Sequence, residues 1–66
     1  MSKVWIVEAC MAVPGTPGSL RINCGVFDSA EKAWARAHDV RECPERWASI
    51  PAQYFVEAYV QEFDVE

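Results

Sequence analysis

Four side chains in this sequence could ligate a metal or attack an electrophile: Cys10, Cys24, His38 and Cys43. Three cysteines and one histidine are a known structural zinc set, but such sites draw on closely spaced pairs, and the chain has no CxxC. The strand register argued below also sends Cys10 and Cys24 to opposite faces of a sheet. The expectation is no metal, no cofactor and three free thiols. Cys43 with His38 is the single nucleophile–base pairing on offer. It lacks an assured orienting carboxylate or oxyanion hole. Glu8 and Glu57 fall near each other on neighbouring strands, and a close carboxyl pair can act as acid and base. An open sheet face gives them no water-excluded pocket in which to shift their pKa values, so a solvated or partner-facing role is expected. Gly15 and Gly18, in "VPGTPGS", lack the following helix and lysine of a phosphate-binding loop and read as turn residues. No catalytic residue is predicted, and the chain is expected not to be an enzyme.

Composition bounds the alternatives. Sixty-six residues are expected to make one domain, 1–66, with a thin stability margin. A hydrophobic share of 52 %, with three Trp, three Phe and two Tyr, exceeds what one small core needs, and surplus apolar surface tends to become an interface. The formal net charge of −4 opposes nucleic-acid binding, which needs clustered Lys and Arg. No stretch approaches the roughly 20 apolar residues of a membrane span. "VWIVEACMAV" is interrupted by Glu8 and is too short for a secretory signal. A reducing cytoplasm, that of the host cell if the chain is phage-encoded, is the expected location.

The elements that must position these residues follow from periodicity. "KVWIVEACM" (3–11) is β-branched and aromatic and predicts a first strand. "VPGTPGS" is a loop, and "LRINCGVF" (20–27) alternates as a half-buried strand. In "DSAEKAWARAHD" the period becomes helical, with Asp28 as N-cap, Glu31 completing a capping box and an end near 38–41. Ala30, Ala33, Trp34 and Ala37 form its inward stripe, Trp34 supplying the bulk. Glu31, Lys32, Ala35, Arg36 and Asp39 face water. Pro44 stands at a first helical position and Pro51 at a stop, which leaves room for one further turn. A last strand runs from about Tyr54 to Phe63. The predicted fold class is therefore α+β: a ββαβ chain forming a three-stranded antiparallel sheet of order 2-1-3, with one helix on one face.

Register assigns the faces. Leu20, Ile22, Cys24 and Val26 are expected inward, as are Trp5, Val7, Ala9 and Met11, then Val56, Ala58 and Val60. Met11 should oppose Leu20, Val7 should oppose Cys24, and Trp5 should oppose Val26. Val4, Ile6, Glu8, Cys10, Arg21, Asn23, Phe27, Phe55, Glu57, Tyr59, Gln61 and Phe63 are left on the open face. That face is too apolar for one left to solvent. Ile6, Glu8, Phe55, Glu57, Tyr59, Glu62 and Phe63 are the candidate partner-binding residues, aromatics as anchors and carboxylates as complementary charge for a basic surface. Aromatics on a sheet also suit single-stranded RNA, but an acidic face repels its backbone.

At "KVWIVEA", "GVFDSAEKAWARA" and "YFVEAYVQEFD" the chain resembles a set of uncharacterised small ββαβ proteins of bacteria and their phages. Their common pattern is a hairpin, a "G-(I/V)-(F/Y)-(D/S)-S-x-E-x-A" entry into a helix, and an acidic-aromatic last strand. The resemblance implies the fold and transfers no site residues. In size, charge and architecture the chain is also similar to small phage inhibitors of host machinery, including anti-CRISPR proteins and the phage inhibitor of bacterial RNA polymerase. The function expected from this is binding and inhibition of a host protein or defence complex with a basic surface. The alternatives are a structural homodimer paired through the open face or an edge strand, and a small metal or thiol enzyme.

Overall fold

A computed structural model describes residues 2–65. The β-branched and aromatic runs form β1 (Ser2–Met11), β2 (Leu20–Phe27) and β3 (Phe55–Val65), all antiparallel in the order β2-β1-β3. Between β2 and β3 lie α1 (Ala30–Glu42), the single turn α2 (Pro44–Trp47) and a 3-10 turn at Ala52–Tyr54. The predicted ββαβ order and sheet topology hold. β3 runs two residues past the expected end.

Helix α1 starts one residue later than expected. Ser29, not Asp28, is the N-cap: its backbone is extended and its Oγ accepts from the Lys32 N–H at 3.2 Å. Asp28 instead accepts from Lys32 Nζ at 3.1 Å, an exposed i,i+4 pair that holds its carboxyl below the usual range. The helix ends where Pro44 can supply no N–H, and Pro44 then opens α2 at a position where none is needed.

The helix also sits rotated from its expected orientation. Its buried stripe is Ala33, Ala37 and Val40, and Trp34 is 51 % exposed. Alanines let the helix backbone approach the sheet, so the rotation excludes the bulky indole and brings the opposite flank inward. Arg36, expected in water, is half-buried: its guanidinium stacks on Trp47 at 4.5 Å and Phe27 at 5.3 Å. Its Nη1 donates to the Cys24 carbonyl at 3.1 Å. Val7, Ala9 and Ala58 from the sheet, Ala48 and Ile50 from the α2 region, and Cys24 complete the core. Ser49 takes a positive φ of 56°, turning the chain so that Ile50 enters the core completely.

Two bulges set the faces. Between β1 and β2 the register shifts at Val7/Glu8, so Val7 opposes Gly25 and Trp5 opposes Phe27, not Cys24 and Val26. One extra residue reverses every side chain beyond it. Phe27 therefore packs on the core and Val26 is 56 % exposed; Leu20, opposite Met11 as expected, is exposed at the strand end. Gly25 makes the bulge possible. Its φ is 141°, and an added Cβ would lie 2.8 Å from the Phe27 ring. The second shift, at Cys10/Met11, pairs Met11 with Phe55 and leaves Val56 as the extra residue. Phe55, predicted on the open face, packs against the core, while Val56, predicted inside, is 56 % exposed.

β1 and β3 outrun the rest. Their ladder extends from Met11–Phe55 to Ser2–Val65, whereas β2 reaches only as far as Trp5. A 13-residue helix spans about 20 Å and an 11-residue strand about 36 Å. The Cα extents are accordingly 43 × 23 × 13 Å, a thin plate with a two-stranded ribbon at one end.

Candidate functional site

The surface opposite α1 is built by alternation along three strands. Ile6 lies opposite Val26 on one side and Gln61 on the other, Val4 opposite Phe63, Glu8 opposite Tyr59, and Cys10 opposite Arg21 and Glu57. Ile6, Glu8 and Tyr59 are half-buried and Phe63 is 44 % exposed. Of the expected partner-binding residues, the fold thus brings Ile6, Glu8, Glu57, Tyr59 and Phe63 to one face. Phe55 leaves the set for the core. Glu62 leaves it for the other side of the sheet: it opposes Trp5, which packs on the core, and accepts from Lys3 Nζ at 3.2 Å. Val26 joins the set, a residue that strict alternation hid because the bulge precedes it.

The face is apolar at one end and polar at the other. Val4, Ile6, Val26 and Phe63 occupy the end towards the ribbon. Glu8, Arg21, Asn23 and Glu57 surround Tyr59 and Cys10 at the other. Loss of solvent around Tyr59 raises its phenol pKa, and the neighbouring Cys10 thiol adds to the rise. Cys10, Cys24 and Cys43 are free thiols, and burial pushes that of Cys24 up. Among the described residues no three His, Cys, Asp or Glu side chains cluster as metal ligands. His38 lies near Glu42, at 3.6 Å on the helix surface.

Along the free edge of β3 the chain places a clasp that sequence reasoning missed. Glu57 Oε1 accepts from the Ala58 N–H at 2.9 Å and from Arg41 Nε at 2.7 Å. Arg41 Nη2 donates to the Ala58 carbonyl at 2.6 Å. The Ala58 N–H, then Arg41, hold the Glu57 carboxyl below the usual glutamate range. Both backbone groups of Ala58 are thereby closed to any further strand. The available signal was Arg41 itself: a basic residue in the last turn of a helix that crosses to β3 ends beside that strand.

Two shallow hollows of about 270 Å³ lie around α2, one lined by Glu45, Ser49, Ile50 and Pro51, the other by Glu42, Cys43, Pro44, Glu45, Arg46 and Ala52. Both fall below the range of about 300–1,000 Å³ typical of small-molecule sites, and neither adjoins the open face. No helix among the described residues is long and apolar enough to cross a membrane. Comparison with family models, curated proteins and solved structures finds no match.

Proposed function

We propose that this chain is a small non-enzymatic protein-binding domain that docks its open sheet face on a basic protein surface. The observation that carries the reading is the apolar run Val4, Ile6, Val26 and Phe63 on a face that no element among the described residues covers, with Glu8 next along β1 on the same face. Apolar anchors bordered by polar groups are the usual composition of an interface, and the two hollows around α2 are shallow. The resemblance to small phage inhibitors makes inhibition of a host complex the first activity to assay. The test is capture of a bacterial protein on the immobilised chain, repeated with Tyr59→Ala/Phe63→Ala. The reading requires a protein held by the wild type, released by salt and not held by the double variant.

A homodimer through the same face is the second reading, and one observation favours it. The largest fully buried side chains are only Ile50, Val7 and Val40, a modest core for a domain that must stand alone. Gel filtration across a hundredfold range of concentration separates the two: a constant monomer supports the first, a dimer the second.

A further inference from the structure

We propose that the outer edge of β3 from Val60 to Asp64 is a strand-addition site for an extended segment that alternates basic and apolar residues. The inference deepens the protein-binding reading by naming a second surface, the mode of contact and the chemistry of the partner.

In an antiparallel ladder both polar groups of a residue point the same way, and successive residues alternate. Ala58 points outward, because its N–H and carbonyl are taken by Glu57 and Arg41 rather than by β1. β3 pairs with β1 without a break from Ala58 to Val65, so Val60, Glu62 and Asp64 point outward as well. Among the described residues no hydrogen bond outside the ladder reaches the backbone of these three. An unguarded row of this kind is a template for another strand. The clasp at Ala58 marks where the template stops.

A second copy of the chain is a poor occupant. Outward residues of two antiparallel β3 edges must pair with each other. Every register that clears Ala58 then sets Glu62 opposite Glu62 or Asp64 of the other copy, or Asp64 opposite Asp64. Like charges directly opposite one another are destabilising. The other edge of the sheet is interrupted by the bulge at Cys24, whose carbonyl Arg36 already occupies.

Charge selects the partner instead. On the helix side Glu62 and Asp64 share one cation, Lys3, which opposes Asp64 and bonds Glu62. Residues of the incoming strand directly across from Glu62 and Asp64 should be Lys or Arg. The residue between them emerges on the open face beside Phe63 and should be apolar.

The test uses two probe peptides, acetyl-Lys-Val-Lys-Val-Lys-amide and its Glu-Val-Glu-Val-Glu counterpart, with amide hydrogen exchange and amide NMR shifts of the intact chain as readouts. The lysine peptide is expected to slow exchange at Val60, Glu62 and Asp64 at least tenfold, and the glutamate peptide to leave it unchanged. In Glu62→Lys/Asp64→Lys, two exposed changes, the preference should reverse. The Tyr59→Ala/Phe63→Ala variant should keep edge protection even where face binding is lost, so failure of one surface is not failure of the other. Equal protection by both peptides, shifts confined to the open face, or concentration-dependent protection of these amides in the chain alone would each overturn the proposal.

Discussion

On the helix side, β1 and β3 present Val7, Ala9, Ala58 and Val60 to a stripe made of Ala33, Ala37 and Val40. On the other side the same strands present Ile6, Tyr59 and Phe63 to no other element among the described residues. The centre of the covered side is built from small side chains, with Trp5, Phe27, Trp47 and Phe55 packed around it, whereas the bare side carries Ile6, Tyr59 and Phe63. A chain this short reaches close packing by bringing backbones together, so alanine is the useful residue at the centre, and the aromatics pack around its margin or, as with Trp34, Tyr59 and Phe63, stay outside. Size therefore does not mark the core here. Trp34 teaches the same lesson from the helix: the largest side chain of α1 is the one the packing turns out.

Four substitutions break or sharpen this contrast. The largest effect is expected at Ile50, one of the few large and fully buried side chains. Ile50→Ala should cost about 2–5 kcal/mol. Set against a total of roughly 3–10 kcal/mol for a chain of this length, that leaves the domain barely folded in a urea titration. A midpoint close to wild type would mean that the covered side is not the core.

Gly25→Ala comes next, at about 1–3 kcal/mol, because the new side chain must adopt a left-handed φ and push the Phe27 ring off Arg36. Thermal melting reads the cost, and near-UV circular dichroism should show the Phe27–Arg36–Trp47 stack disturbed. A neutral result would place the bulge elsewhere.

Both bulges explain what the sequence concealed. The element order, the sheet order and the inward Val7, Ala9, Ala58 and Val60 were legible from period and turn residues alone. Phe55, Val56, Val26 and Phe27 were not, because alternation has no means of announcing an inserted residue. Gly25 is the one local hint, a glycine inside a strand. The rotation of α1 was hidden for a different reason. Trp34 and Arg36 compete for the same space beside the alanine stripe, and hydrophobicity ranks the indole first. The guanidinium wins because it stacks on Phe27 and Trp47 and bonds the carbonyl freed at the bulge. Of the site, Ile6, Glu8, Glu57, Tyr59 and Phe63 were legible as one face, while the Arg41–Glu57 clasp depends on tertiary placement.

Trp34→Ala sharpens that point. A half-exposed indole should cost roughly 1 kcal/mol or less, against the 3–5 kcal/mol of a buried one. A loss in the larger range would return Trp34 to the core.

Glu57→Gln should have the smallest effect, and it has a pH signature. The folded carboxyl is held below its unfolded value, so its contribution is complete above the ordinary glutamate range and is lost as the pH falls through the lowered folded value. Wild type should melt slightly above the variant at neutral pH, and the two curves should converge on the acid limb as the pH falls below the ordinary glutamate range. A difference that grows on acidification would contradict the sign.

Tyr59 and Phe63 are proposed to belong to an interface and not to the core. That assignment is tested most directly by urea unfolding of Tyr59→Ala/Phe63→Ala beside capture of bacterial proteins on the same immobilised variant. The expected result is a cooperative transition within about 1–2 kcal/mol of wild type, since both residues lie outside the buried set, together with loss of a salt-sensitive partner that the wild type holds. An unfolded variant would show these aromatics to be core, and a folded variant that holds the same partner as the wild type would place the interface elsewhere.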